Sequence, residues 1–457
     1  MLTVDNTREL VLDVLMEVLE KGTYSHLVIR DVLDKYNYSR TRDKAFVKRM
    51  AEGTLERLIQ IDYILDQFSK VPVSRMKPLI RNLMRMSVYQ MLFMDSIPDG
   101  AVCNEAVKLA GKRGFKGLSG FVNGVLRNIA RNKEKLPYPD PNENEKQYLS
   151  VRYSMPEWLI EKWISAYGKE KTWTMLEDLL KEHPVTVRLR EEMKSTEKNA
   201  WIGKLKEAGV EIKEHAYFPY AYLINHVSGI KNLPGYEEGW FTVQDVSSML
   251  VAEAAGVCKT DVIDNFLVVD VCAAPGGKAM HMAEKLSGSG KVIARDLSEY
   301  KVSLIRDNIE RMGYQNIEPQ VYDACKMDET LLGRADVVLA DLPCSGLGIM
   351  GKKRDIKYRI TKDGMAELVR LQRLILDVVW QYVKPGGVLI YSTCTINPDE
   401  NDHMVEWILE HYPFELESLA PFLPEVLLEE GKDGMLQLFP GIHEADGFFL
   451  ARLRRKE

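Results

Sequence analysis

Hydrophobic residues recur every three or four positions along the first part of the chain, which is the spacing of an amphipathic helix. The first set with this spacing comprises Val11, Val14, Leu15, Val18 and Leu19. Gly22 follows it at a position suited to ending a helix, and the same spacing recurs over 55–68 and 79–94. The pattern predicts an all-helical first domain.

A proline-rich stretch separates this domain from the rest of the chain. Pro137, Pro139 and Pro141 lie within five positions, and proline cannot continue a helix. A helical pattern over 156–163 and an extended apolar run over 185–189 then indicate a small α+β module. The predicted organisation is an all-helical domain over 1–135, a linker over 136–144, the α+β module over 145–235 and an α/β domain over 236–457.

The last part of the chain alternates short apolar runs with helical patterns. The runs are rich in Val, Ile and Leu and cover 266–272, 291–296, 335–340 and 387–391. Such runs are typical of parallel strands buried on both faces, and their alternation with helices predicts a Rossmann-like α/β sheet. Ligands of such sheets bind beyond the carboxyl ends of the strands, so the residues that follow these runs are candidates for chemistry.

Two cysteines follow the last two of these runs. Cys344 lies just beyond Asp341, and Cys394 lies just beyond Tyr391. A lone free cysteine is most often a small buried apolar residue, and this remains the alternative for each of them. Two cysteines at neighbouring strand ends beside Asp341 instead indicate a site of covalent chemistry.

A glycine-containing turn follows the run over 266–272. Its residues are Cys272, Ala273, Ala274, Pro275, Gly276, Gly277 and Lys278. A strand, a tight turn and a helix in this order place backbone N–H groups near a ligand. The turn lacks both the Walker spacing and the dinucleotide spacing G-x-G-x-x-G, whereas Asp296 ends the next strand about twenty residues on, where ribose hydroxyls are bound. These features favour S-adenosylmethionine (SAM) as the cofactor.

Four motifs, in this order, resemble those of the SAM-dependent RNA cytosine-5 methyltransferases. They are the turn at 272–278, the segment Asp341-Leu342-Pro343-Cys344-Ser345-Gly346, the triplet Thr393-Cys394-Thr395 and the closing Asp446-Gly447-Phe448-Phe449. The stretches 104–110 and 120–127 resemble the antitermination factor NusB, so 1–135 is similar to a NusB-type domain. This fusion is characteristic of bacterial 16S rRNA (cytosine-5) methyltransferases of the Sun/Fmu type. The resemblance implies a class I SAM-dependent methyltransferase fold, with the closing strand antiparallel at the sheet edge.

The resemblance also implies roles for the two cysteines. Cytosine C5 is a poor nucleophile, and a thiolate that adds to C6 makes it reactive towards the SAM methyl group. The family assigns this attack to the cysteine of the Thr-Cys-Thr triplet, here Cys394, and assistance of release to Cys344; spacing alone does not choose between them. Asp341 is the candidate for hydrogen bonds to the cytosine ring. The sequence has no histidine beside Cys394, so it leaves the means of ionising this thiol open.

Cofactor contacts follow from the same resemblance. The turn at 272–278 is expected to wrap the methionine end of SAM, Asp296 to bind the ribose, Asp323 to approach the adenine amine, and Asp341 to lie near the methionine amine. Asp323 has the alternative of a simple turn residue. Lys278 has two candidate partners, the methionine carboxylate and the surface of its own helix.

Two positions depart from the family pattern. Ala279 replaces a usual threonine after Lys278, which we expect to be neutral because the turn acts through backbone N–H groups. Arg354 replaces a usual proline, which we expect to leave the segment after Cys344 less rigid.

Composition and charge indicate which partners the protein could bind: nucleic acid, metal ions or membranes. The net charge of −6 by itself argues against a nucleic-acid partner. Basic runs at 112–116, 127–133 and 352–359 are nevertheless candidates for phosphate contacts, with solvated surface as the alternative. The cysteines and histidines show no metal-ligand spacing, and no uncharged apolar stretch is long enough for a membrane helix. We therefore expect 16S ribosomal RNA as partner, no metal, no membrane association, a cytoplasmic location and a monomer.

Three other functions are weighed against an rRNA (cytosine-5) methyltransferase. A tRNA cytosine-5 methyltransferase would have the same catalytic residues, and only the N-terminal helical domain favours rRNA. A DNA cytosine-5 methyltransferase would not need Cys394, because those enzymes place the nucleophile in the Pro-Cys loop. A non-catalytic RNA-binding or antitermination-type factor would not need the cofactor turn and both cysteines. We therefore predict the rRNA methyltransferase.

Overall fold

The chain forms two compact units in a computed structural model that describes residues 2–3, 6–37, 41–227, 229–257, 265–287 and 290–457. The first unit comprises Met1–Leu180 and Met350–Arg359. The second comprises Lys181–Ile349 and Ile360–Glu457. This division after Leu180 differs from the predicted end of the linker at 144. The domain boundaries deduced from the sequence stay a prediction.

The first unit is built almost entirely of helices. Its main helices are α1 (Thr7–Glu20), α2 (Ser25–Lys35), α3 (Thr41–Glu56), α4 (Leu58–Phe68), α5 (Pro78–Phe93), α6 (Asp99–Lys112), α7 (Ser119–Arg131), α8 (Glu145–Tyr153), α9 (Glu157–Tyr167) and α10 (Lys169–Asp178). Strands β1 (Leu2–Thr3) and β2 (Tyr36–Asn37) form one short parallel pair. The helical spacing seen in the sequence buries Val11, Leu15 and Val18 in one core, and Gly22 follows α1 with φ of 80°. The predicted all-helical first domain is confirmed.

A short segment from the C-terminal half also belongs to the first unit. Within Met350–Arg359, Asp355 accepts hydrogen bonds from the backbone N–H of Ser25 at 3.2 Å and from its hydroxyl at 2.5 Å. Arg354 forms an ion pair with Glu56. The side chain of Arg354 thus adds an ionic contact to this segment, and the expected loss of rigidity stays a prediction.

The second unit contains the remaining strands and most of the remaining helices. The strands are β3 (Val185–Leu189), β4 (Glu211–Glu214), β5 (Ala221–Asn225), β6 (Phe241–Val243), β7 (Leu267–Asp270), β8 (Lys291–Asp296), β9 (Ile317–Val321), β10 (Ala335–Asp341), β11 (Val383–Thr393), β12 (Phe414–Leu416), β13 (Met435–Leu438) and β14 (Phe448–Arg455). The helices are α11 (Ser195–Glu207), α12 (Val246–Ala254), α13 (Gly277–Lys285), α14 (Glu299–Met312), α15 (Ile356–Arg359, in the first unit), α16 (Lys362–Val379) and α17 (Asp402–His411).

The large sheet has the strand order β12-β14-β11-β10-β7-β8-β9, with β13 also paired to β14. Strands β7 to β11 of this sheet are mutually parallel where they pair. Their apolar residues are buried on both faces, in two cores that α12 and α13 cover on one side and α16 and α17 on the other. This confirms the predicted Rossmann-like sheet and brings the carboxyl ends of β7, β8, β10 and β11 to one edge.

The closing strand β14 runs antiparallel to β11, as expected, but it does not lie at the sheet edge. Strand β12 pairs with its C-terminal part and β13 with its N-terminal part. Two short strands thus share one long neighbour. Sequence reasoning placed β14 at the edge because it did not identify β12 and β13.

A smaller antiparallel sheet of order β4-β5-β3-β6 accounts for the β part of the predicted α+β module. Trp201 of α11 is fully buried against it. Arg188 of β3 is 1% exposed and forms an ion pair with Glu284 of α13. Arg188 is therefore a buried ionic link between β3 and helix α13.

In the parts of the chain that the structure describes, the helices are too short or too polar to cross a membrane.

Candidate active site

The carboxyl ends of four parallel strands supply the candidate site residues. Strands β7, β8 and β10 end at Asp270, Asp296 and Asp341, and β11 ends at Thr393, next to Cys394. Asp341 is in register with Ser392, one residue before the end of β11. Parallel pairing therefore places these side chains at a common edge, where the sequence predicted Asp296, Asp341 and Cys394.

The turn at 272–278 leads from β7 directly into α13, which begins at Gly277. Its backbone is fixed by hydrogen bonds from Ala273 N–H to the Arg295 carbonyl at 2.8 Å and from Gly276 N–H to the Ala273 carbonyl at 2.6 Å. Gly276 has φ of 104°, in the left-handed region that favours glycine. The first N–H groups of α13 have no acceptor within the helix, so they are available to an anionic ligand.

Asp270 is a buried carboxyl at the end of β7. It is 1% exposed, and neither of its oxygens has a hydrogen-bond partner among the described residues. Burial, and then the negative charge of Asp341, raises the pKa of Asp270 to about 7. A buried acceptor of this kind is suited to a cationic donor such as an amino group.

Asp296 is a second buried carboxylate at the strand ends, and exposed apolar side chains lie next to it. Asp296 is 4% exposed, and its Oδ2 accepts the Ala274 N–H at 3.0 Å while its Oδ1 lies 2.9 Å from the Lys301 ammonium. Leu297, which follows it, and Val321, which pairs with it on β9, are 64% and 45% exposed. Exposed apolar side chains beside a carboxylate offer a surface for a nucleobase next to a ribose.

Asp323 lies two residues beyond β9, where its Oδ1 accepts the Cys325 N–H at 3.0 Å. This is the geometry of an Asx turn. Its expected contact with an adenine amine stays a prediction.

Lys278 and Asp341 form an ion pair at the strand ends. Lys278 Nζ donates to Asp341 Oδ2 at 2.7 Å, and Ser392 Oγ donates to Asp341 Oδ1 at 3.0 Å. Burial lowers the pKa of Lys278, but the charge and hydrogen bond of Asp341 outweigh it and the net pKa is raised. The partner of Lys278 is thus a carboxylate of the chain itself, which sequence reasoning had not considered.

The two candidate cysteines meet at this edge. Both thiols are partly buried, and Cys344 Sγ lies 3.3 Å from Cys394 Sγ. The hydrogen bond to Cys394, then burial and the nearby charges, raise the pKa of Cys344 well above its ordinary value. The pair is close enough for one sulfur to donate its proton to the other.

Two glycines bring the Cys344 loop against the closing motif. Gly348 N–H donates to the Cys394 carbonyl at 3.1 Å, and Gly447 N–H donates to the Gly348 carbonyl at 3.0 Å. A Cβ atom on Gly348 would lie 1.8 Å from the Gly447 carbonyl oxygen. The Asp-Gly-Phe-Phe motif therefore contributes a backbone contact that only a residue without a side chain allows.

We expect Gly348→Ala to force this contact apart. The clash is with backbone, so we expect the free energy of unfolding to fall by about 1–3 kcal/mol and methyl transfer to fall with it. Thermal unfolding and a transfer assay measure both. Gly351→Ala is the matched control, because a Cβ there meets nothing within 4 Å, and equal behaviour of the two variants would contradict the account.

Buried polar side chains beyond Cys394 complete the site, and the sequence analysis missed them. Asn401 accepts a hydrogen bond from the Thr393 hydroxyl at 2.6 Å and donates to the Thr395 carbonyl at 3.0 Å. Glu400 contacts the loop of Cys344 through Ser345. Glu400 and Asn401 follow Cys394 by six and seven residues, and this closeness in sequence could have marked them as candidates for the site.

A separate cluster of titratable side chains lies around His281 of α13. Glu191, Glu253 and His281 place one oxygen or nitrogen each within 4.8 Å of one another. Lys285 Nζ lies 2.7 Å from an oxygen of both glutamates, so an ammonium group already bridges these carboxylates. Burial, with the positive charge of Arg188, lowers the pKa of His281 to about 4. The prediction of no metal stays a prediction.

The predicted basic runs are largely engaged in the first unit. Lys112 pairs with Glu9 and Arg113 with Asp13, each at 2.6 Å. Lys357 is 5% exposed, and burial lowers its pKa to about 7. Phosphate contact by these groups stays a prediction, but it would compete with existing interactions.

Comparison with known proteins gives three family matches. Residues 260–454 match the family model described as 16S rRNA methyltransferase RsmB/F. Residues 5–131 match the NusB family, and residues 155–230 match the ferredoxin-like domain of RsmF/B-like methyltransferases.

Relatives align over nearly the whole chain. The probable ribosomal RNA small subunit methyltransferase B of Bacillus subtilis (strain 168) is 36% identical over 457 residues, covering 99% of this chain and 99% of its own. The corresponding protein of Synechocystis sp. is 32% identical over 456 residues, covering 98% and 99%. The crystal structure of PH0851 has a TM-score of 0.80 and 27% identity, covering 99% of both chains.

Proposed function

The chain belongs to the RsmB/F family of 16S rRNA methyltransferases, and from this premise we propose that it transfers a methyl group from SAM to C5 of a cytosine in 16S rRNA. We further propose that Cys394 forms a transient bond to C6 of that cytosine. The observation that carries the proposal is the pair of thiols 3.3 Å apart at adjacent strand ends, beside the Lys278–Asp341 ion pair.

The residues at the strand ends fit SAM. The unpaired, buried carboxyl of Asp270 suits the methionine amino group, and the first N–H groups of α13 suit the methionine carboxylate. Asp296 suits the ribose hydroxyls, and Leu297 and Val321 border the adenine. When bound, SAM supplies an electrophilic methyl group. The turn at 272–278 and these side chains bind and orient it.

We expect Asp296→Ala to weaken SAM binding tenfold or more, because hydrogen bonds to a charged group contribute about 1.5–3 kcal/mol. Calorimetric titration with SAM measures the change. Asp307→Ala removes an exposed carboxylate from α14 and is the control, expected to leave the affinity unchanged. Undiminished affinity of Asp296→Ala would remove Asp296 from the ribose site.

The chain supplies the nucleophile and the groups around it. Cys394 as thiolate adds to C6, which moves electron density to C5, and C5 then takes the methyl group. Transfer of the C5 proton to solvent and return of the C6–S electron pair to Cys394 restore the aromatic ring. Cys344, whose raised pKa keeps it a thiol, assists the departure of the Cys394 sulfur.

Asp341 orients the base and the Lys278 ammonium. Each of its oxygens accepts one hydrogen bond in the structure and retains a lone pair for another. Asp341 is therefore suited to accept a hydrogen bond from the exocyclic amine of cytosine, and Lys278 keeps positive charge close to the reacting thiolate. These two residues hold the base at the strand ends while Cys394 attacks.

Ribosomal RNA is the proposed substrate, and tRNA is the alternative. The matches to the NusB and RsmB/F families favour rRNA, and we expect the enzyme to act in the cytoplasm as a monomer. Incubating the protein with labelled SAM and unmodified 16S rRNA or tRNA, followed by nucleoside analysis, tests this. We expect 5-methylcytidine in 16S rRNA. Label in tRNA alone would overturn the substrate, and label in neither would overturn the function.

A further inference from the structure

We propose that Glu400 is a positioning residue that holds the Cys344 loop against the Cys394 loop and maintains Cys344 as a protonated thiol. The role rests on the proposed function, because Cys344 acts there at the release of Cys394. Among the described residues, the hydrogen-bond partners of the Glu400 carboxylate are Ser345, Gln372 and Asn397, none of which is a proposed cofactor ligand or a cysteine.

Glu400 collects hydrogen bonds from three separate segments. It is fully buried in the turn before α17. Its Oε2 accepts the Ser345 N–H at 2.9 Å and Gln372 Nε2 at 3.1 Å. Its Oε1 accepts the Ser345 hydroxyl at 2.5 Å and Asn397 Nδ2 at 2.8 Å. One carboxylate thus joins the loop after β10, helix α16 and the loop after β11.

These bonds fix Cys344 from both sides. Gln372 Nε2 also donates to the Pro343 carbonyl at 2.9 Å, so the residue before Cys344 is held by the same amide that binds Glu400. The residue after it, Ser345, also contacts the Thr395 hydroxyl at 2.7 Å. The 3.3 Å separation of the two sulfurs follows from this arrangement.

The carboxylate also carries charge. All four partners of Glu400 are donors, which is the hydrogen-bonding pattern of an ionised carboxylate. A buried negative charge near a thiol disfavours the thiolate. The pKa of Cys344 is raised first by its hydrogen bond with Cys394, then by burial, and also by the charge of Glu400. A protonated Cys344 can donate a hydrogen bond to the departing sulfur of Cys394, whereas a thiolate would repel it.

A thiol titration tests the charge without needing a substrate. Cys344 is alkylated with iodoacetamide over a pH series in a Cys394→Ser background, and its modified peptide is quantified by mass spectrometry. We expect Glu400→Gln to lower the midpoint by about one pH unit, the usual effect of removing one nearby like charge. Glu406→Gln, an exposed glutamate on α17, is the matched control and should not shift it. An unchanged midpoint in Glu400→Gln would overturn the protonation role.

Turnover tests the positioning. With SAM and 16S rRNA, we expect Glu400→Gln to accumulate a covalent protein–RNA adduct and to lower kcat at least tenfold, while SAM affinity stays unchanged. Equal loss of adduct and product would mean that Glu400 is merely structural and would overturn the positioning role.

Ser345→Ala is the second variant, for use where Glu400→Gln fails to fold. It removes one hydroxyl and keeps the carboxylate, and it is expected to raise the adduct fraction. Unchanged turnover and an unchanged adduct fraction in Ser345→Ala would equally overturn the positioning role. Failure of the proposed function itself would appear as no methyl transfer by the wild type, and the thiol titration would still decide the charge effect.

Discussion

Replacing Cys394 by alanine is expected to abolish methyl transfer, with a loss on the order of 10⁴-fold or more, as for removal of other covalent nucleophiles. Without the sulfur nothing adds to C6, and C5 remains too poor a nucleophile to take the methyl group. SAM binding should be unchanged, because Cys394 is not among the residues proposed to bind the cofactor. Label transfer to rRNA and calorimetry measure the two quantities.

Cys103→Ala is the control for loss of a thiol. Cys103 is 1% exposed in the core of the helical unit, and its removal should leave the transfer rate close to wild type. Retained activity of Cys394→Ala would contradict the nucleophile assignment. Lost activity of both variants would point to instability rather than chemistry.

Replacing Cys344 by alanine is expected to have the second largest effect, which is the accumulation of a covalent protein–RNA adduct. The attacking sulfur of Cys394 remains, so the C6–S bond forms. The thiol 3.3 Å away that assists its departure is absent, so the bond persists. A band of reduced mobility on a denaturing gel, in the presence of SAM and 16S rRNA, measures the adduct.

The double variant Cys344→Ala, Cys394→Ala separates this trapping from nonspecific crosslinking. It should give no adduct, because no sulfur is left at the site to attack C6. An adduct that survives in the double variant, or a Cys344→Ala protein that turns over normally, would contradict the assigned division of roles.

Much of the catalytic half could be predicted from the sequence because its candidate site residues lie at the ends of the predicted strands. The apolar runs predicted β7, β8, β10 and β11, and parallel pairing then placed Asp296, Asp341 and Cys394 at one edge. This step needs only local hydrophobicity and the geometry of parallel sheets.

Contacts between distant segments were beyond this reasoning. Gln372 lies 28 residues from Glu400, in the middle of an amphipathic helix, and nothing local distinguishes it from other polar helix residues. The ion pair of Lys278 with Asp341 spans 63 residues. Side-chain partners of this kind depend on tertiary packing, which periodicity does not encode.

Element order was harder to predict than element type. The antiparallel direction of β14 was correct, but its place at the edge was not, since β12 and β13 are too short to give a clear strand pattern. Arg354 shows the same limit for a single residue. Its ion pair with Glu56 joins segments almost three hundred positions apart in sequence, so the comparison with the family's usual proline gave no sign of this contact.

Isolation of the adduct tests the central claim most directly. Cys344→Ala would be incubated with SAM and unmodified 16S rRNA, digested with nuclease and protease, and the crosslinked peptide identified by mass spectrometry. The account predicts a 5-methylcytidine joined to the peptide that contains Cys394. An adduct on a different residue, or methylated RNA with no adduct from any cysteine variant, would contradict it.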